Sequence, residues 1–425
     1  MRNDSGSLRL PGLATASRCE NTRRQLGTPT GFDHNHGLGL ALMFRASCFR
    51  GGIAAQLFKT LLVATLSLGA AAGHAQGGAA VDLDRGAGLR GFNLGAMKQP
   101  ALTDDDFRQL AGYGANLVRI GVKVARCDAC SVFEMAPAES RYIDNTLAMG
   151  RKHGFRVILA LTPEPGGEKS EFWTRADLRA SLVGTWAKLA AAHKGDPVIA
   201  GYDLINEPVA PPDRNPTSVG AAILKRSGLT AAEHDPTIVE WHDFAVTLVQ
   251  AIRAEDPASV VIYEPSPWGL PKGFSKLRPL PFEKIVYSFH FYSPHALTHQ
   301  GVYNYIARPS YPNESTSKAS LSKEMEPIRV FSQKYKVPIY VGEFGILRWA
   351  PGESAQRYLA DLVDIFEVEG WNWTYHSFRE YEGWDAEIDN SLPMGAKAIR
   401  SPTAKTIRLL IDKGFSKNLR GNVAR

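Results

Sequence analysis

The sequence predicts an α/β protein with a single-domain (β/α)8 TIM barrel. Short apolar segments alternate with longer amphipathic segments between residues 88 and 413, and eight of the apolar segments have the length of buried strands. Alternation of strand and helix implies parallel strands joined by right-handed crossovers, and eight such units close into a barrel. An open doubly wound sheet is the alternative. The turn after the first strand lacks the Gly-x-Gly-x-x-Gly pattern of a dinucleotide-binding sheet, which favours the barrel.

The predicted elements follow one another in a regular order. The strand candidates are residues 89–94, 116–122, 156–161, 199–205, 260–263, 285–291, 339–342 and 371–375. The helical candidates are residues 104–111, 142–153, 178–193, 238–253, 321–335, 354–369 and 402–413. Polypeptide segments of this size and order suit a barrel with long loops on one face.

The first 75 residues are not expected to belong to the barrel. Residues 1–42 are rich in Gly, Arg, Ser, Thr and Asn without apolar periodicity, so we expect them to be disordered or to precede the true start at Met43. Basic residues then precede the apolar run 60–72 and the small residues before Gln76, which is the order of a secretory signal peptide. The run is shorter than the roughly 20 residues of a membrane-spanning helix. We therefore predict a signal peptide at 43–75, cleavage near Ala75, a secreted or periplasmic protein without a stable membrane anchor, and a folded domain at 76–425.

The positive charge of the chain is concentrated in this leader. Eight of the 49 Lys and Arg residues and three of the 43 Asp and Glu residues precede residue 77, which leaves 41 basic against 40 acidic residues. A balanced domain offers no basic surface for nucleic acid. We predict no nucleic-acid partner.

The folded domain contains two cysteines, Cys127 and Cys130. Such close spacing occurs in zinc sites and redox centres, but a zinc site needs further ligands nearby, and none follow in the sequence. For an exported protein, a small disulfide-closed loop is the favoured interpretation. Two reactive thiols in the native protein would exclude it.

Two glutamates follow strands that are far apart in sequence. Glu207 follows the fourth predicted strand in Asn206-Glu207-Pro208, and Glu343 follows the seventh in Gly342-Glu343-Phe344. In a closed barrel the carboxyl ends of all strands surround one mouth, so these carboxylates are expected to lie close together. Two neighbouring carboxylates can serve as proton donor and nucleophile in glycoside hydrolysis. The alternative is that both make structural salt bridges.

These segments, with three others, resemble glycoside hydrolase family 5, the cellulase-type family. The further segments are Leu117-Val118-Arg119-Ile120, His290-Phe291-Tyr292 and the Trp373 region Trp371-Asn372-Trp373-Thr374-Tyr375. The resemblance extends from about residue 89 to about residue 412. It implies a barrel-shaped catalytic domain that acts on a polysaccharide or oligosaccharide.

The resemblance implies a role for each carboxylate and for two neighbours. Glu207 would be the general acid and then the general base, and Glu343 the nucleophile that forms a covalent glycosyl-enzyme intermediate. Arg119 would keep Glu343 ionised and oriented. Asn206 would hydrogen-bond the 2-hydroxyl of the sugar, a contact that strengthens in the oxocarbenium-like transition state.

Three further residues receive roles in the same way. His290 would orient the carboxylates, Tyr292 would donate a hydrogen bond to the nucleophile, and Trp373 would form an apolar platform under the sugar. Each of them could instead be an ordinary buried residue. One departure from the family is that residues 159–165, Leu-Ala-Leu-Thr-Pro-Glu-Pro, contain no histidine after the third strand, which weakens the transfer of a particular substrate preference.

The loops 209–236 and 293–320 are expected to form the walls of the cleft, with Trp268 and Trp384 as further sugar-stacking candidates. The sequence thus predicts a monomeric retaining glycosidase, most simply an endo-β-1,4-glucanase, without cofactor or metal. A β-mannanase, a β-1,3-glucanase and a non-catalytic glycan-binding barrel are the alternatives. A metal-dependent hydrolase is disfavoured because the first strand has no His-x-His motif.

Overall fold

The computed structural model of the chain describes residues 82–86, 88–94, 102–126, 132–164, 171–210, 240–302, 305–389, 395 and 397–418. All of them lie within Gly73–Arg425, one of the two parts into which the chain divides. The predicted upstream segment, the signal peptide with its cleavage near Ala75, and the pair Cys127 and Cys130 lie outside the described residues.

Eight parallel strands of the described chain close into a barrel. Together with one short additional strand, β3, the described strands are β1 (Arg90–Leu94), β2 (Leu117–Arg126), β3 (Phe133–Glu134), β4 (Arg156–Glu164), β5 (Ile199–Asp203), β6 (Val261–Tyr263), β7 (Ile285–Phe291), β8 (Ile339–Phe344) and β9 (Asn372–Phe378). Parallel pairing runs in the order β1-β9-β8-β7-β6-β5-β4-β2, and β1 pairs with β2 to complete the ring. The short β3 adds to β2 in antiparallel orientation. The predicted (β/α)8 TIM barrel is therefore confirmed.

Helices surround this ring. They are α1 (Asp104–Gly112), α2 (Pro137–His153), α3 (Ala176–Ala192), α4 (Trp241–Glu255), α5 (His295–Thr298), α6 (Lys318–Glu324), α7 (Glu326–Tyr335), α8 (Ser354–Glu369) and α9 (Lys405–Lys413). The single helix predicted over 321–335 is interrupted at Met325, because Pro327 has no N–H to continue a helix and is tolerated only in the first turn of a new one. Among the described residues, no helix has both the length and the apolar character needed to cross a bilayer.

The interior of the barrel is apolar at one end and polar at the other. Leu117, Ile262, Val286 and Tyr340 belong to a buried apolar cluster near the amino ends of the strands. Residues two positions further along a strand point to the same face. Further along the strands, the inward-facing positions are occupied by buried polar side chains. The carboxyl ends of the strands therefore carry a layer of charged groups around the barrel mouth.

Candidate active site

Arg119 is the centre of the charged layer. Its guanidinium donates from Nη1 to Glu343 Oε1 at 2.8 Å and to Asn93 Oδ1 at 3.1 Å, and from Nη2 to Asn206 Oδ1 at 2.8 Å. It also contacts two carboxylates that are fully buried, namely Asp203 and Glu264, at 2.9 and 3.1 Å. Only 3% of Arg119 is exposed to solvent. One rigid cation therefore fixes the positions of five groups, which come from the ends of four strands.

Glu343 enters the barrel because strand β8 is irregular. The pairing of β7 with β8 shifts between Phe289 and His290, so that His290 stands beside Glu343. An extra residue in a strand reverses which side chains face inward. Gly342 occupies the irregular position, where a Cβ atom would lie 2.7 Å from His290 Nε2. Glycine is therefore required for the histidine and the carboxylate to share this space.

The surroundings of Glu343 favour its ionised form. Tyr292 Oη donates to Glu343 Oε2 at 2.9 Å, and His376 Nδ1 lies 3.7 Å from the same oxygen. Burial alone would raise the pKa of Glu343, but the electrostatic influence of His290, His376 and Arg119 and the bond from Tyr292 outweigh it and lower the pKa to about 2. Glu343 is thus a carboxylate at any ordinary pH.

Glu207 lies opposite and is biased toward the protonated form. Burial of its carboxyl group raises its pKa, and the negative charges of Glu343 and Glu264 act in the same direction, while His290 opposes them. Its backbone has a left-handed conformation with φ of 48°, which is rare for a residue other than glycine. The neighbouring Asn206 holds the loop by an N–H bond of 2.8 Å to Leu161 O.

The two glutamates and His290 form one compact group. One carboxylate oxygen of each glutamate and one ring nitrogen of the histidine all lie within 4.8 Å of one another. His290 Nδ1 is 2.8 Å from Glu207 Oε1 and 3.8 Å from Glu343 Oε2. Two carboxyl groups with opposite protonation tendencies therefore face each other across a short gap.

The same donor atoms lie close enough to hold a metal ion, but the charge on His290 opposes one. The carboxylates around His290 raise its pKa well above the usual value although burial opposes this, which favours the protonated ring. A protonated imidazole has no lone pair for a metal. The prediction from the sequence that catalysis needs no metal remains a prediction.

The structure brings together six of the seven residues that the sequence singled out. Arg119, Asn206, Glu207, His290, Tyr292 and Glu343 are joined by direct contacts. Their predicted catalytic and binding roles are taken up as proposals below.

Trp373 is the exception, and the platform role predicted for it is wrong. Its side chain is fully buried, stacks on Phe415 with ring centroids 5.4 Å apart, and donates from Nε1 to Glu367 at 3.0 Å. Glu367 belongs to α8, so Trp373 packs between the sheet and the helices. Alternation along β9 instead directs Thr374 and His376 into the barrel.

Three groups near the site were not identified from the sequence. Asp203 and Glu264 complete the ion-pair network of Arg119, and His376 stands beside Glu343. Glu264 carried a detectable signal, because it follows a buried strand and precedes a proline, as Glu207 does. Of the aromatic candidates, Trp384 packs against Tyr292 and His376 with ring centroids 6.2 and 5.5 Å apart.

Comparison with known proteins agrees with this geometry. Residues 76–382 match the family described as Cellulase (glycosyl hydrolase family 5). Endoglucanase C of Acetivibrio thermocellus is 22% identical over 312 residues, which cover 64% of this chain and 84% of that protein. Beta-xylosidase of Phanerodontia chrysosporium is 21% identical, with 73% and 63% covered. The crystal structure of endoglucanase Cel5A from Thermotoga maritima superposes with a TM-score of 0.57 at 19% identity and covers 76% of this chain and 96% of its own.

Proposed function

The chain belongs to glycosyl hydrolase family 5 and is a glycoside hydrolase, and we propose that it is a retaining endo-β-1,4-glucanase. In this proposal Glu207 is the general acid and base, and Glu343 is the nucleophile. The observation that carries the proposal is the contrast between two neighbouring carboxyl groups, one with a raised and one with a lowered pKa. Such a pair supplies an acid and a nucleophile at the same pH.

In the first step, Glu343 attacks the anomeric carbon while Glu207 gives its proton to the glycosidic oxygen. The bond from the anomeric carbon to that oxygen breaks, the leaving sugar departs as an alcohol, and an ester joins the remaining sugar to Glu343. In the second step, the Glu207 carboxylate takes a proton from water, whose oxygen attacks the same carbon. The ester bond breaks, and both glutamates return to their starting forms.

The separation of the carboxyl groups supports retention rather than inversion. Retaining glycosidases hold them about 5 to 5.5 Å apart, whereas inverting enzymes need about 6.5 to 9.5 Å to admit a water molecule. Here oxygens of the two groups lie within 4.8 Å of each other. The gap is better suited to direct attack by Glu343 than to a water held between the two groups.

The neighbouring residues support the same assignment. Arg119 and Tyr292 each engage one oxygen of Glu343, which fixes the carboxylate for attack. Arg119 also engages Asn206 Oδ1, so the arginine occupies the acceptor of this amide and not its Nδ2 donors, which can then bind a sugar hydroxyl.

The proposed action on β-1,4-glucan rests on the endoglucanases among the relatives. β-Mannan and β-1,3-glucan would be cleaved by the same carboxylates with different loop contacts. Release of reducing sugar from glucan, mannan and xylan polymers separates these substrates. Proton NMR of the first product gives the stereochemistry, for which we expect the β-anomer. An α-anomer would overturn the retaining mechanism, and binding without turnover on every polymer would favour a glycan-binding barrel.

We also propose that the protein is exported after cleavage near Ala75. The support is the basic, apolar and small-residue order of residues 43–75. Mass spectrometry of the N-terminus of the exported protein tests this. A mature chain that retains residues before Phe58 would contradict it.

A further inference from the structure

Glu264 is a buried carboxylate that takes no part in the two steps above. It directly follows β6 and is 1% exposed. Its Oε2 accepts a hydrogen bond of 3.0 Å from the backbone N–H of Glu207. Its Oε1 lies 3.1 Å from Arg119 Nη2 and 3.2 Å from His290 Nε2. It is therefore in contact with both the backbone of the proposed acid and the histidine that touches the side chain of that acid.

The position of Glu264 is enforced from several sides. Gly269 lies over it with φ of 61°, and a Cβ atom there would be 3.0 Å from Glu264 Oε2. The bond from the Glu207 N–H holds the left-handed backbone of Glu207, a conformation that costs energy unless its surroundings impose it. The contact with His290 is an ion pair rather than a well-aligned hydrogen bond, so it acts chiefly through charge.

The charged groups around His290 come from four strands and one loop. Glu264 follows β6, Arg119 is on β2, Asp203 on β5 and Glu343 on β8, and Glu207 is in the loop after β5. Of the carboxylates, Glu264 and Glu207 approach the ring nitrogens most closely.

We propose that Glu264 is a positioning residue, a proposal that rests on the function proposed above. Its negative charge keeps both nitrogens of His290 protonated. His290 in turn directs the acidic proton of Glu207 to the carboxyl oxygen that faces the substrate. With a proton on Nδ1, His290 donates to Glu207 Oε1 at 2.8 Å. That oxygen then acts as an acceptor, so the proton of Glu207 resides on Oε2. If His290 loses the proton on Nδ1, that nitrogen can accept a hydrogen bond instead, and the proton of Glu207 then points toward the histidine.

The electrostatics of the site agree with this chain of contacts. Burial opposes protonation of His290, and the charge of Glu264 is the largest influence that outweighs it. His290 and Arg119 in turn lower the pKa of Glu264 in spite of its burial, so that Glu264 is the charged partner.

A first experiment measures His290 directly. Nitrogen-15 NMR of the histidine side chains, with the His290 signals assigned by their loss in His290→Gln, reports the protonation of each ring nitrogen. In the wild-type protein we expect both nitrogens to stay protonated from about pH 5 to about pH 8. In Glu264→Gln we expect His290 to lose a proton within that range. A neutral His290 in the wild-type protein overturns the proposal even if the variant fails to fold, and an unchanged His290 in a folded variant overturns it as well.

Asp203→Asn is the matched control. It removes the other fully buried carboxyl group bound to Arg119, and it leaves the contact of Glu264 with His290 in place. Burial raises the pKa of Asp203 to about 7, so the two variants are compared at about pH 8, where Asp203 also carries a charge. We expect His290 to stay doubly protonated in this variant. Loss of its proton in both variants would show that any buried charge suffices and would overturn the specific role of Glu264.

A second experiment tests the consequence for the acid. Departure of dinitrophenolate from a β-cellobioside needs no proton, whereas cleavage of cellotetraose does. General acid catalysis is worth about 10² to 10⁴-fold, so we expect Glu264→Gln to lose about 10 to 100-fold in kcat/KM on cellotetraose and far less on the dinitrophenyl glycoside. Equal losses on both would indicate a merely structural role. If the wild-type protein hydrolyses neither, the proposed glucanase function fails, while the NMR result still decides the role of Glu264.

Discussion

Replacing Arg119 with methionine is expected to damage both the stability and the chemistry of the barrel. Methionine has a similar length but donates no hydrogen bond. Two fully buried carboxylates, Asp203 and Glu264, would lose the cation that lies between them, and Glu343 and Asn206 would each lose a bond of 2.8 Å. The substitution therefore removes one partner of a buried ion-pair network and leaves the other partners in place.

The size of the effect follows from the burial of this network. Removal of one partner from a buried ion pair costs about 3 to 5 kcal/mol, because an uncompensated charge remains inside the protein. With an unfolding entropy of about 2.1 cal/mol/K per residue over about 350 residues, this corresponds to a decrease in Tm of about 4 to 7 °C. Differential scanning calorimetry measures it.

Arg329→Met is the matched control for this prediction. Arg329 also makes several polar contacts, including one of 2.6 Å with Glu369, but these lie on the outer helices. Partly exposed pairs of this kind contribute about 0 to 1 kcal/mol. A decrease in Tm for Arg119→Met no larger than that for Arg329→Met would refute the view that the charged layer depends on Arg119.

The same substitution has a kinetic signature. Arg119 is one of the charges that lower the pKa of Glu343, so its loss raises that pKa. The nucleophile then takes up a proton at a higher pH, and the acidic limb of the kcat/KM profile moves to higher pH. An unchanged acidic limb in a folded, active variant would contradict this assignment.

Three further predictions concern other parts of the molecule. Glu207→Ala is expected to lose about 10² to 10⁴-fold in kcat/KM on cello-oligosaccharides, and azide should restore turnover of an activated glycoside by forming a β-glycosyl azide, seen by NMR; no azide product from a folded variant would count against the acid role. Trp373→Ala is expected to lower stability by about 3 to 5 kcal/mol in a urea titration through the loss of its packing on Phe415, with KM little changed; a selective increase in KM would restore the platform role. Burial and then the charge of Glu264 raise the pKa of Asp203 to about 7, so the stability linked to its proton is fully present below about pH 4 and is lost as the pH rises through about 7. The change in Tm caused by Asp203→Asn should therefore be more favourable at about pH 8 than at about pH 5, and an equal change at both would be evidence against a protonated Asp203.

The strands of the barrel and most of the site could be predicted because they depend on local patterns. Each barrel strand is a short apolar run, and functional groups of such a barrel follow the carboxyl ends of its strands. The fourth barrel strand was expected to continue to residue 205 but ends at Asp203, so Glu207 lies in the loop beyond it. The prediction placed it on the correct side of the barrel nonetheless.

The orientation of side chains within a strand buried on both faces could not be predicted in the same way. Residues 371–375 alternate aromatic side chains on one face with Asn372 and Thr374 on the other, but the whole strand is buried, so the alternation does not by itself show which face points into the barrel. The irregular register at Gly342 likewise appears only when β7 and β8 are paired. Asp203 is part of the site through contact with Arg119, which is 84 residues away along the chain.

Mass spectrometry of the intact protein after incubation with a 2-fluoro cellobiosyl inactivator tests the central claim most directly. The fluorine slows both steps, whereas the good leaving group of the inactivator keeps the first step fast, so a retaining enzyme accumulates its covalent intermediate. The account predicts a single added glycosyl mass, located on Glu343 by peptide mapping and absent from Glu343→Gln. An adduct on another residue, or none on a folded protein that cleaves cello-oligosaccharides, would contradict Glu343 as the nucleophile.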